Sequence, residues 1–158
     1  MATPFDFTNR DGAVFPHDTM IDSGGGTVRL CKVFDIAQAV ASNGTAALAN
    51  DVFQVFSIPA GWFVHSITVQ VVTAEGAAST IDVGDGATTD GYHDGIDMNS
   101  TSTYTCSFDT DGTPTEAFGH GKFYSAADTI DLKVMTGTWT AFIVKLTVIA
   151  FNTTCTAS

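Results

Sequence analysis

Trp62-Phe-Val-His-Ser-Ile-Thr-Val-Gln-Val-Val-Thr73 is the stretch that decides the fold class. Phe63, Ile67, Val69 and Val71 fall on one face, with His65 beside them. Ser66, Thr68 and Gln70 fall on the other. Period-2 alternation rich in β-branched residues marks a half-buried strand. Pro59-Ala-Gly61 ahead of it is a turn signal. A lone His on such a face is more often a hydrogen-bonded core or interface residue than a ligand.

The same pattern recurs outward from this strand. Residues 29–35 form a strand with Leu30, Cys31, Val33 and Phe34 as apolar content, and 51–58 form another. In 79–84, Ile81 and Val83 point inward while Thr80 and Asp82 point outward. In 129–135, Ile130, Leu132 and Val134 point inward while Thr129, Asp131 and Lys133 point outward. Residues 101–108 and Lys122–Tyr124 read as strands with weaker alternation, and 140–152 as a long closing one. Residues 36–50 are Ala-rich and read as a helical turn or a loop, with a turn signal at Asn43-Gly44. No sustained period of 3.6 appears. About eight strands punctuated by turns predict an all-β, jelly-roll-like antiparallel sandwich. An immunoglobulin-like sandwich is the runner-up, and it lacks the Cys…Trp…Cys core.

Composition agrees. The chain has 158 residues, a single-domain length, and only 15% of them are charged. Of its 17 acids nearly all are Asp, the residue of turns and caps rather than of helix faces. Net charge is −11 with six scattered Lys and Arg, which argues against a phosphate-tracking groove and hence against nucleic acid or an anionic membrane as partner. No apolar run is long enough to span a membrane as a helix. The opening MATPFDFTNRDG lacks the basic and apolar regions of a secretory leader. Cys31, Cys106 and Cys155 are too far apart for a zinc site and odd in number, which argues against a disulfide framework.

Two segments stand apart. Residues 1–27 carry Pro4, Pro16, the run Gly24-Gly25-Gly26 and three aromatic residues, Phe5, Phe7 and Phe15. They read as an extended N-terminal arm on a single domain, 28–158. The closing strand is apolar on both faces. Phe142, Val144, Leu146, Val148 and Ala150 form one, and Ile143, Ile149 and Phe151 interrupt the other. A strand with one wet face alternates more cleanly. The second face is therefore expected to be covered, by the arm or by another subunit.

The candidate chemistry gathers in residues 81–97. Asp82, Asp85, Asp90, Asp94 and Asp97 alternate there with glycines. Calcium takes six to eight oxygens from such loops, but the spacing is not that of an EF-hand and no closing Glu is present. The simpler reading is Asp-Gly turns with carboxylates on nearby N–H groups. No metal or cofactor is assigned. Nucleophile-elbow, P-loop and dinucleotide motifs are all missing, and His17, His65, His93 and His120 show no ligand spacing. The sequence reads as a non-enzyme.

Four phrases carry a family resemblance. They are Asp51-Val-Phe-Gln-Val-Phe-Ser-Ile-Pro-Ala-Gly61, Ser79-Thr-Ile-Asp-Val-Gly-Asp-Gly86, Asp90-Gly-Tyr-His-Asp-Gly-Ile-Asp-Met-Asn99 and Gly121-Lys-Phe-Tyr-Ser-Ala-Ala-Asp-Thr-Ile-Asp-Leu132. In that order they resemble small virion structural proteins of tailed bacteriophages, in particular capsid decoration (cement) proteins, over residues 28–152. The resemblance implies a jelly-roll homotrimer on the outer surface of an icosahedral head, assembled in the host cytoplasm. It would bridge major capsid protein subunits and perform no chemistry. The arm and its Phe residues would then contact the capsid or swap between subunits. The competing reading is a receptor- or carbohydrate-binding β domain of a fibre or tail. It would use Trp62, Tyr92, Tyr104 or Trp139 as sugar platforms.

Overall fold

Trp62–Thr73 is one unbroken strand, and the chain winds around it. The computed structural model describes residues 5–6, 27–44, 46–105 and 117–153. Its elements are β1 (Phe5–Asp6), β2 (Thr27–Asp35), α1 (Ile36–Asn43), β3 (Val52–Ile58), β4 (Trp62–Thr73), β5 (Thr80–Asp85), β6 (His93–Asp97), β7 (Thr103–Thr105), β8 (Lys122–Tyr124), β9 (Asp128–Val134) and β10 (Ile143–Asn152). One sheet has the order β1-β3-β9-β5-β6. The other has the order β2-β10-β4-β7, with β8 also on β4. Thus β2 pairs with β10, β3 with β9, β4 with β7 and β8, and β5 with β6. This is a long hairpin rolled into a jelly roll, as expected. The short strands β7 and β8 lie end to end along the same edge of β4, opposite 68–70 and 62–64. They share one jelly-roll position. Among the described residues only β1, on β3, pairs in parallel.

The core lies between the sheets. Val64, Ile67, Val69, Val144, Leu146 and Val148 from one side meet Val55, Phe56, Ile81, Val83, Ile130 and Leu132 from the other, all essentially inaccessible. Burying each such side chain stabilises by about 1.5–3 kcal/mol, which sets the inward phase of every strand. At one end α1 and the loop before β10 close over Trp139 and Phe142, whose rings meet edge to face at 4.8 Å. Asp35 starts the helix by accepting the N–H of Ala37 at 2.9 Å, and it also receives Nε2 of Gln38. The loop before β10 is held by Glu75. One carboxylate oxygen accepts Thr140 N and Oγ1, and the other accepts Ala141 N and Phe142 N, at 2.7–3.0 Å.

The strand faces depart from the sequence reading in β4, where two bulges shift the phase, and in β2, where regular alternation buries a lysine. In β4, Ile149 pairs with Ser66 but Ala150 with Val64, so His65 is an extra residue. The bulge reverses the phase: Trp62 and Val64 point inward while Phe63 and His65 face outward, not onto the apolar face with Ile67. A second bulge leaves Val72 out of register and exposed. In β2, Cys31 and Val33 face solvent and Lys32 points inward, 4% exposed, with Nζ donating to the Val55 carbonyl at 3.3 Å. Lys32 therefore ties β2 of one sheet to β3 of the other. Asp82 and Asp131 leave the core face as expected, yet they are 2% and 3% exposed rather than wet. The loop after β5 folds back over the outer face beside them. A Cβ on Gly84 would sit 2.0 Å from the Thr88 carbonyl oxygen. Only a residue without a side chain lets the loop approach that closely.

Strand β6 was read from the sequence as Asp-Gly turns. It pairs with β5 through Ile81↔Ile96 and Val83↔His93, with an irregularity between. There Gly95, at φ 66°, turns its N–H onto Asp82 Oδ1 at 2.9 Å. The positive φ is what Gly supplies, so the dipeptide marks a kink inside a strand rather than a strand's end.

Candidate interaction surface

The Asp-rich segment separates into different tasks. Asp85 ends β5 and points between the sheets, 0% exposed. Its Oδ1 accepts Ala87 N and Thr88 N at 3.0 and 2.9 Å. Its Oδ2 accepts the ammonium of Lys122 and the hydroxyl of Tyr124, the latter at 3.1 Å. Tyr124 OH in turn lies 3.1 Å from Tyr92 OH. Lys122 Nζ stands 4.3 Å from the centre of the Phe118 ring. Because β5 and β8 belong to different sheets, this network clamps one end of the sandwich. Burial alone would raise the Asp85 carboxyl. Lys122 and the N–H groups of Thr88 and Ala87 outweigh it and hold the pKa below the usual value. Burial pushes the Tyr124 hydroxyl far up, so it stays protonated and donates.

The other acids lie apart from this clamp. Asp82 takes the Gly95 N–H, and burial leads the forces raising its pKa. Asp97 accepts Asn99 N at 2.8 Å, and Asp90 and Asp94 are exposed. Among the described residues no group of three or more His, Cys, Asp and Glu is placed to hold a metal ion. The aromatic residues proposed as sugar platforms are mostly interior. Trp62, Tyr92 and Trp139 are buried, and Tyr104 is half-buried with its hydroxyl on the Asp97 carbonyl.

Charge divides between the sheets. Strands β5, β6 and β9 carry Asp82, Asp85, Asp94, Asp97, Asp128 and Asp131. Strands β4, β7, β8 and β10 carry no acid, and β2 has only Asp35 at its last position. The outer face of the β2-β10-β4 sheet instead presents Arg29 and Lys145. Arg29 pairs with Ile149, and Lys145 with Val33 and Gln70, so neither meets a carboxylate across the ladder.

Apolar side chains occupy both ends of this face. Phe123, Phe63 and Phe151 are aligned across three strands, and Phe63 stacks on Phe151 at 4.9 Å. Phe123 is 51% exposed. At the far end lie Ile143, Val33 and Val72, the last two largely exposed. Ile143, Ile149 and Phe151, the residues marked as an interface from the sequence, are thus half-buried members of one sheet face. Sequence reading missed Phe63, Phe123 and Arg29 as members of this face. The bulge at His65 hid the first. The remainder are united only by pairing between strands distant in sequence. Phe5 lies on the other sheet, its backbone in register with Phe53. Phe7 and Phe15 lie outside the described residues, as do Cys106, Cys155 and His17.

No family model and no curated protein matches the sequence. Solved structures do match in fold. A chain of the acidic stable capsid structure of Helicobacter pylori bacteriophage KHP30 is 13% identical with a TM-score of 0.54, over 84% of this chain and 95% of that one. A chain of the capsid of Ralstonia phage GP4 is 16% identical with a TM-score of 0.56, over 89% and 91%. A chain of the cyanophage Pam1 capsid asymmetric unit is 15% identical with a TM-score of 0.54, over 92% and 98%. At these identities the likeness is one of fold, and it extends over nearly the whole of each chain.

Proposed function

We propose that this chain is a structural protein of a phage virion, one that decorates the outer surface of the icosahedral head as a homotrimer and bridges major capsid protein subunits. The observation that carries the reading is the extent of the fold likeness. Chains from three phage capsid structures are matched over 91–98% of their own length. The physical features fit a load-bearing part. The sandwich is tied together at one end by Asp85 and Lys122 and at one edge by Lys32. On a repeating lattice, modest contacts per subunit add up to firm attachment. An acidic outer surface keeps the decorated particle soluble. The arm 1–27, with Phe5, Phe7 and Phe15, serves in this reading as the capsid-contacting or subunit-swapping segment. A β1-like segment adds to a sheet edge through backbone bonds and can do so in another chain as well.

The test is addition of the purified protein to heads that lack it. Binding should saturate at a fixed number of copies per head and should raise the resistance of the heads to heat and to chelator. Absent or unsaturable binding would contradict the proposal.

A further inference from the structure

The unequal charge of the two sheets identifies a docking face. We propose that the outer face of the β2-β10-β4 sheet docks on an acidic protein surface that bears apolar side chains opposite the Phe63–Phe123–Phe151 row. For the identity of that surface, the capsid lattice, the inference rests on the decoration reading. The argument is charge complementarity. In a chain of net charge −11, this face, among the described residues, carries Arg29 and Lys145 and has no acid before Asp35 at its corner, Asp109, Asp111 and Glu116 lying outside those residues. Of the other bases, Lys32 is buried, Lys122 is paired with Asp85, and Lys133 lies on the acidic sheet, in register with Asp82. Arg10 lies outside the described residues.

Other occupants fit less well. A second copy docking through the same face would set Arg29 and Lys145 among their own counterparts, with Asp35 as the one carboxylate on the described face and that one already engaged by Ala37 N and Gln38 Nε2. A second copy docking through its acidic sheet would repeat without closing, because the two faces of a sandwich point in opposite directions, and open contacts of that kind build filaments. The described part of the arm, Phe5–Asp6, sits on β3 of the other sheet. A different protein with carboxylates opposite Arg29 and Lys145 satisfies both the charge and the apolar ends. In this pose the sheet bearing the exposed Asp94 and Asp97 faces solvent.

The experiment titrates undecorated heads with wild type, the Arg29→Glu/Lys145→Glu pair, Phe123→Asp, and the Asp94→Asn/Asp97→Asn pair as control. All these positions are exposed or half-exposed, and folding is checked by melting. The charge-reversed pair and Phe123→Asp should each weaken binding about tenfold or more, and reversal should abolish the weakening by salt that wild type shows. The control should bind like wild type. Unimpaired binding by the charge-reversed pair and Phe123→Asp, with wild type bound, overturns this face and leaves decoration standing. Loss of binding by the control pair alone assigns docking to the opposite sheet and overturns the face as well. Wild type that leaves heads bare overturns decoration and the docking face together.

Discussion

Asp85→Ala should lower stability by about 3–5 kcal/mol, the range for removing one partner of a buried, hydrogen-bonded ion pair. At roughly 2–4 °C per kcal/mol for a domain of this size, the melting temperature should fall by about 6–20 °C. Four donors lose their acceptor at once: Ala87 N, Thr88 N, the Tyr124 hydroxyl and the Lys122 ammonium. The last is the costliest to strand, though its side chain is 25% exposed and can reach water in part. Adding Lys122→Met to Asp85→Ala should therefore recover some of the loss. Thermal melting checks both variants. A change under about 0.5 kcal/mol, the usual scale of a neutral surface substitution, would contradict the clamp. Wild type should melt identically with calcium and with chelator, because both Asp85 oxygens are already engaged. A calcium-dependent rise that Asp85→Ala abolishes would restore the ion-binding reading.

Asp131→Asn should stabilise the protein at pH 8 by about 3 kcal/mol and flatten its stability between pH 4 and 7. Burial pushes the Asp131 carboxyl up to about 6. The Thr129 hydroxyl opposes this, and the nearby Asp128 and Asp85 reinforce it. Oδ1 of Asp131 is buried with no hydrogen-bond partner. Because the folded pKa lies above the unfolded one, the folded state holds a proton between about pH 4 and 6 that the unfolded chain releases. Stability is then greatest below that window and declines as pH rises through it. Asp82, also raised, acts in the same sense. Asp85, held low, acts in the opposite sense and loses its contribution only as pH falls below the usual carboxylate range. Wild type should be most stable on the mildly acidic side of neutrality. Denaturant titrations at pH 5 and 8 decide the matter. Equal wild-type stability at the two values, or loss of stability at pH 8 in Asp131→Asn, would contradict the account.

The fold was legible in the extent of its clearest strands and in the phase of β5 and β9. Trp62–Thr73 and Lys122–Tyr124 have the bounds read from sequence, and the inward phases of Ile81/Val83 and Ile130/Leu132/Val134 hold. Bulges defeat a count of two, because one extra residue at His65 turns Phe63 to the opposite face and nothing local announces it. β6 was missed because Gly95 looks like a turn residue when its positive φ serves a kink within the strand. Lys32 inside and Asp131 beneath a loop run against residue type, and only tertiary partners explain them. That Ile143, Ile149 and Phe151 share the second face of β10 was legible in its alternation. Its partners Arg29, Phe63 and Phe123 emerge only once the sheet order is known. The Asp cluster was visible as composition. Its division into a clamp, a kink and wet surface acids depends on which strands stand opposite.

The most direct measurement is an image reconstruction of heads before and after addition of this protein. New density of jelly-roll size is expected on the outer surface, at regular lattice sites spanning adjacent capsid subunits. The β2-β10-β4 face should point toward the shell, and the Asp94–Asp97 edge should point away. An unchanged shell, or density confined to the tail, would contradict the decoration reading.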